Sequence, residues 1–171
     1  MSHINSTTKK PTISRKSRYH QGYYRPKNPS KYMGNPTSIV YRSSWERKFI
    51  QWCDENPAIV QYASEEVVIP YISPIDNKQH RYFIDFFIAV RQKDGTIKKF
   101  LVEIKPFAQT ITPVVKRLLT EKAKAQFKEQ MKTYMVNQAK WEAAKKYCQM
   151  RGFEFCVVTE RHLFKAKGKK K

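Results

Sequence analysis

The sequence predicts an α/β domain in which a helix, a three-strand meander, a second helix and a last strand follow one another. Three observations predict it. Residues 43–53 carry an apolar stripe at helical spacing. Three β-rich runs, 66–72, 81–90 and 98–105, come next, separated by turn residues. Residues 116–150, free of proline and glycine, then lead into the apolar run 153–158.

In the first helix Trp45, Phe49, Trp52 and Cys53 fall on one stripe, at i, i+4, i+7 and i+8. Ser43 and Glu46 have the spacing of a capping box, and Asn56-Pro57 ends the helix. Strand 66–72 closes on the turn signals Ser73-Pro74 and Asp76-Asn77. Asp94-Gly95 is a tight hairpin signal between strands 81–90 and 98–105. Pro106 stops the latter, because proline cannot donate to a ladder. After a loop at 109–115, helix 116–150 runs to the stop Arg151-Gly152. There is no internal repeat and no Gly-rich phosphate loop, so no nucleotide cofactor is expected.

The chain has 171 residues, with 34 Lys and Arg against 14 Asp and Glu, a net charge of +20. Such a balance calls for a polyanion, most simply nucleic acid. No hydrophobic stretch has spanning length and residues 1–10 lack the apolar core of a signal peptide, so a membrane is not the expected partner. Cys53, Cys148 and Cys156 show no C-x-x-C pattern and fit reduced thiols. The expected organisation is a basic arm at 1–38, a folded domain at 39–164 and a Lys-rich tail at 165–171.

The arm has no acidic residue. It interleaves Lys9, Lys10, Arg15, Arg18, Arg25 and Lys27 with Tyr19, Tyr23, Tyr24 and Tyr32. Cations neutralise phosphates and rings stack on bases, which makes it a candidate DNA contact; a solvated tail is the plain alternative. The second helix carries a basic face with Lys122, Lys124, Lys128, Lys132, Lys140, Lys145 and Lys146. Few acids balance that face, so it reads as a surface that tracks a nucleic-acid backbone.

The chemistry concentrates in residues 100–106. Side chains alternate across a strand, so Leu101, Glu103 and Lys105 share one face, and Phe100, Val102 and Ile104 share the apolar other. Upstream, Asp85 stands alone in the apolar run 82–90. A buried carboxylate needs a partner or a metal. Phosphodiester hydrolysis needs charge neutralised on the phosphate and an activated water, and a hard cation held by carboxylates meets both needs. Asp85 and Glu103 on neighbouring strands suit one Mg²⁺, and Lys105 would orient or deprotonate the attacking water or hold the phosphate. The plain alternative is a buried salt bridge of Lys105 with either acid. Glu46 caps its helix on one reading and points into the site on the other. His80 and His162 are not counted as catalytic.

Asp85, then Glu103-x-Lys105 across a hairpin, resembles the signature of the PD-(D/E)xK nucleases. The order helix, meander, helix, strand matches their restriction-endonuclease-like core, αβββαβ with a central mixed sheet flanked by helices. Closer still, Tyr41-Arg42-Ser43-Ser44-Trp45-Glu46, Ile69-Pro70-Tyr71, Leu101-Val102-Glu103-Ile104-Lys105-Pro106 and Lys140-Trp141 resemble the head-completion nucleases of T4-like tailed phages. The pattern is also similar to the endonuclease subunit of heteromeric transposases. The resemblance implies a metal-dependent DNA endonuclease acting on double-stranded DNA at or near the packaged genome end, before a head accepts its tail. Glu46, Asp85, Glu103 and Lys105 would be catalytic. Asp85, Glu103 and the Ile104 carbonyl would hold Mg²⁺, with Mn²⁺ as substitute, and Glu46 would serve a second metal or a water. Phage head, portal or neck proteins would be partners, in the cytoplasm of the infected bacterium or in the virion head. One departure is Ile84, where the signature has proline. The competing readings are a non-catalytic DNA- or head-binding protein that keeps the fold, and a transposase-type cutting subunit.

Overall fold

The computed structural model describes residues 20–114 and 120–164. Its elements are β1 (Gly22–Tyr24), β2 (Ile39–Tyr41), α1 (Ser44–Glu55), β3 (Ile59–Ser64), β4 (Val68–Ile72), β5 (Gln79–Phe83), β6 (Phe86–Arg91), β7 (Ile97–Ile104), α2 (Glu121–Arg151), β8 (Glu154–Val158) and α3 (Glu160–Leu163). The main sheet has the order β3-β6-β7-β8. It is antiparallel except for the β7–β8 pair. A parallel neighbour cannot be reached by a tight turn, and α2 provides the crossover.

Strand alternation sorts the sheet into two faces. Phe86, Ile88, Val102 and Ile104 meet Phe49, Ile50 and Cys53 of α1. Phe87, Ala89 and Leu101 meet Trp141, Ala144 and Cys148 of α2, with Ile69, Tyr71 and Tyr82. Both faces are covered, which is why these strands read as apolar runs.

The meander differs from the sequence expectation in its membership. Its first strand is β3, which the sequence left outside any strand. The 66–72 run forms β4 and pairs instead with β5 in a separate ribbon. The single strand expected at 81–90 is split into β5 and β6 at Ile84-Asp85. A bulge explains all three differences. Ser64 pairs with Phe86, and Val68 pairs with Phe83. Three residues (65 to 67) therefore oppose two (84 and 85), and an extra residue bends a ladder and interrupts it. Glu65 turns the corner with φ 55, in the left-handed region. Arg42 holds it through Nε to Oε1 at 2.7 Å and Nη2 to Oε2 at 2.9 Å. Asp85 stands at the bend.

Helix α1 begins as expected, with the Ser43 hydroxyl accepting the Glu46 N–H at 3.1 Å. Its buried stripe is Phe49, Ile50, Cys53 and Asp54. Trp52, expected inside, is 47% exposed and lies against the Phe49 ring. Asp54 goes inside because donors meet it there. The Tyr24 hydroxyl and the Lys27 and Asn28 N–H groups all donate to its carboxylate, at 3.1, 2.6 and 2.9 Å. Ile50→Ala is expected to cost about 3 kcal/mol, and Trp52→Ser under about 1 kcal/mol, in chemical denaturation.

Residues 20–38 pack against this helix and the sheet. β1 pairs antiparallel with β2, and Tyr32 bridges to Tyr62. The Lys31 ammonium donates to the carbonyls of Asp54 and Asn56 at the helix end, both at 2.9 Å.

Helix α2 has 31 residues and buries none before Asn137, so its N-terminal half stands clear of the core. Thr120 caps it, and Gly152, with φ 65, ends it in the left-handed conformation. Residues 115–119, which the sequence assigned partly to this helix, lie outside the described residues. Among the described residues no helix is long and apolar enough to cross a membrane.

Candidate active site

The bulge brings the expected acids together. Phe86 pairs with Val102, so Asp85 follows the ladder just past its last pair, beside Glu103. Its Oδ2 accepts the N–H of Ile104 at 2.7 Å. Burial raises the Asp85 pKa above the ordinary carboxylate range, and the charge of Glu103 raises it further.

Glu103 is 2% exposed. Its two oxygens have different partners: the Tyr82 hydroxyl donates to Oε2 at 2.8 Å, and the Lys105 ammonium meets Oε1 at 2.8 Å. The salt bridge weighed from the sequence is therefore present, between Lys105 and Glu103. Burial opposes the charge on Lys105, but Glu103 and Asp85 outweigh it and hold the ammonium above its usual pKa. Lys105 is thus a cation that can bind an anion or orient a water, not a base, while it keeps these partners.

Glu46 is beside this group and committed to its cap. Its Oε2 accepts the Arg42 N–H at 2.7 Å, and its Oε1 accepts the Ser43 hydroxyl at 3.0 Å. Burial raises its pKa, and its charge is felt at both Asp85 and Lys105. His162 caps α3 by accepting the Thr159 N–H, and His80 pairs with Asp76 on the β4–β5 ribbon. Neither joins the acids.

Two residues belong to this neighbourhood without having been assigned to it from the sequence. Tyr82 is the one buried residue of β5. Burial and the Glu103 charge raise its pKa, so it remains a neutral donor. The sequence puts Lys140 on the basic face of α2 that reads as tracking a nucleic-acid backbone. Its ammonium instead lies 5.6 Å from the Tyr71 ring centre and 5.4 Å from that of Tyr82. Burial lowers its pKa, and the fields of Glu103, Lys105 and Asp85 reach it. The usable signal in the sequence was its place directly before Trp141, a buried position of α2.

No cluster of three or more His, Cys, Asp or Glu side chains suited to a metal occurs among the described residues. The donor set at the strand end is two carboxylates plus main chain, which suits a hard cation that keeps several waters. Asp85, raised by burial and by the charge of Glu103, is the kind of group that such a cation relieves.

The expected DNA contacts fall on several segments of the chain. Lys9, Lys10, Arg15 and Arg18 lie outside the described residues. Arg25 is exposed. Lys27 pairs with Glu55 at 2.6 Å and so ties its segment to α1. Lys122, Lys128 and Lys132 are exposed on the free half of α2, with Lys132 3.8 Å from Glu129.

Comparison with known proteins agrees with this geometry. Residues 56–160 match the family described as TnsA-like endonuclease N terminal. The head completion nuclease of Enterobacteria phage T4 is 42% identical over 141 residues, 82% of this chain and 91% of that protein. The matched family region contains the bulge, Asp85, Glu103, Lys105 and Lys140; Glu46 precedes it. The chain belongs to the head completion nucleases of bacteriophages and carries the TnsA-like endonuclease domain.

Proposed function

We propose that this protein is a divalent-metal-dependent endonuclease that hydrolyses phosphodiester bonds of double-stranded DNA. Its core is restriction-endonuclease-like, with α1, β3, β6, β7, α2 and β8 as the αβββαβ set. It acts during head completion, on or near the packaged DNA end, before tail attachment. Head, portal or neck proteins are the partners this implies, within the infected cell or the virion head.

One observation carries the proposal. A bulge at the β5–β6 bend sets Asp85 against the end of β7, where Glu103, the main chain of Ile104 and the half-buried Lys105 follow in sequence. Asp85, Glu103 and the Ile104 carbonyl would hold Mg²⁺, or Mn²⁺ in its place. The cation supplies Lewis-acid polarisation of the phosphate and a more acidic water. The Tyr82 hydroxyl fixes the rotamer of Glu103 by its hydrogen bond. The Ile104 N–H does the same for Asp85. Lys105, held as an ammonium, takes a phosphate oxygen or orients the attacking water. Glu46, on its cap, adds negative charge near both and is placed to orient a water or serve a second cation.

The test is cleavage of linear and supercoiled duplex by the purified protein in Mg²⁺, Mn²⁺ or EDTA, beside Lys105→Met. Cutting should need the metal, and Lys105→Met should lower the rate about 10²–10³-fold while the protein stays folded at the assay temperature, shown by its circular dichroism. Tight binding with no cutting under any metal, with or without head proteins, would leave a DNA- or head-binding protein that keeps the fold.

A further inference from the structure

Helix α2 carries seven lysines, and three of them are paired along the helix. Lys124, Lys132 and Lys145 each pair with the acid three residues earlier. Lys140 has Asn137 at that place. It is half-buried over two tyrosine rings, and among the described residues no acceptor lies within bonding distance of its ammonium. An ammonium carries three N–H donors, and desolvating them without an acceptor is unfavourable. The tyrosine faces compensate electrostatically but accept no strong hydrogen bond.

The surroundings on the helix are equally short of acceptors. Asn137 Nδ2 and Trp141 Nε1, three residues before Lys140 and one after, are buried donors without a partner among the described residues. Meanwhile Tyr82 joins the two parts of the site: its hydroxyl donates to Glu103, and its ring lies under Lys140. Lys140 is therefore linked to the Glu103 side of the site through Tyr82 and not by an ion pair, since Lys105 takes the Glu103 oxygen that Tyr82 leaves. With Glu46 counted, three acids face two lysines, and a divalent cation bound to the acids would turn the group net positive. That sign suits a phosphate backbone.

We propose that Lys140 is a DNA-positioning residue whose ammonium binds the backbone phosphate adjoining the scissile one, across Tyr82 from Lys105. This rests on the reading of the site as a nuclease centre and adds a contact from the crossover helix. The tyrosine rings set the reach of the lysine, so the phosphate it takes fixes the register of the strand against Glu103 and Asp85. The exposed lysines of the free half of α2 have no such constraint and track the backbone loosely.

The test measures binding of the full-length protein to a short duplex in EDTA, as a function of salt, with no dependence on turnover. For Lys140→Met, which keeps the apolar stem over the tyrosines, the slope of log K against log salt should fall by about 0.9, one phosphate contact. Lys140→Arg should restore the slope, and the melting temperature should be unchanged in both. Under Mg²⁺, Lys140→Met should raise KM more than it lowers kcat. An unchanged slope in Lys140→Met and in Lys140→Gln overturns the inference. So does a wild type that does not bind duplex DNA. If Lys140→Met melts early and Lys140→Arg restores melting but not the slope, the residue is structural and the inference falls. A slope lost with Lys140→Met in a protein that never cleaves supports the phosphate contact and overturns the nuclease reading instead.

Discussion

Asp85→Asn is expected to lower metal-dependent cleavage about 10³-fold or more, while raising the melting temperature at neutral pH. The first effect follows from the donor set. Asp85 is one of two carboxylates at the strand end, and an amide oxygen is a poor substitute for an anion toward a divalent cation. The second follows from burial. The Asp85 carboxyl is raised above its ordinary pKa by desolvation and then by Glu103. In the metal-free protein its ionised form therefore disfavours the fold. Asparagine keeps the shape and the acceptor for the Ile104 N–H, and removes the charge.

The sign with pH is definite. A carboxyl whose folded pKa is raised binds more protons in the native state than in the unfolded chain. Its penalty is absent below the unfolded value of about 4 and grows as pH rises toward the raised folded value. Melting curves of wild type and Asp85→Asn in EDTA should coincide in acid and separate upward from there, with the variant the more stable. Adding Mg²⁺ should raise the melting temperature of wild type and leave Asp85→Asn nearly unmoved. A variant that cuts DNA like wild type would remove Asp85 from the chemistry. Equal melting at all pH values would show that the carboxylate is already compensated without metal.

Asp54→Ala is expected to be strongly destabilising, by about 3 kcal/mol, or roughly 6–12 °C in melting temperature for a chain of this size. Asp54 is fully buried and accepts from three donors of residues 24–28, while its own carbonyl accepts from Asn28 and Lys31. Alanine would strand the Lys27 and Asn28 N–H groups and the Tyr24 hydroxyl. Asp54→Asn, which retains one good acceptor, should lose about half as much. Limited proteolysis should show the loss first within residues 20–38, because their attachment to α1 runs through this carboxylate. If Asp54→Ala melts with wild type, that segment is held instead by the β1–β2 pairing and the Tyr32 contacts.

Much of the site could be read along the chain because it depends on short-range order. The alternation of Leu101, Glu103 and Lys105 against Phe100, Val102 and Ile104 is a property of any strand, and the structure keeps it. Ser43 before Glu46 marked the helix start, since a cap joins residues three apart. Gly152 marked a helix end for the same local reason.

Other features depended on contacts between distant segments. The apolar spacing of α1 allowed Trp52 or Asp54 inside, and the donors brought by residues 24–28 decided for Asp54. Residues 81–90 carry the pattern of one strand, and only pairing with both β3 and β4 breaks it at Asp85. Lys140 belongs by composition to a basic face, yet the ribbon folds Tyr71 and Tyr82 beneath it. By itself the sequence determined the periodicities, the caps, the cationic character and the identity of the acid–lysine strand, because each is encoded within a few residues. The tertiary structure alone decided which strand pairs with which, where the bulge falls, and which charges become buried neighbours. Those outcomes depend on competition among distant segments for the same hydrogen bonds and the same buried surface.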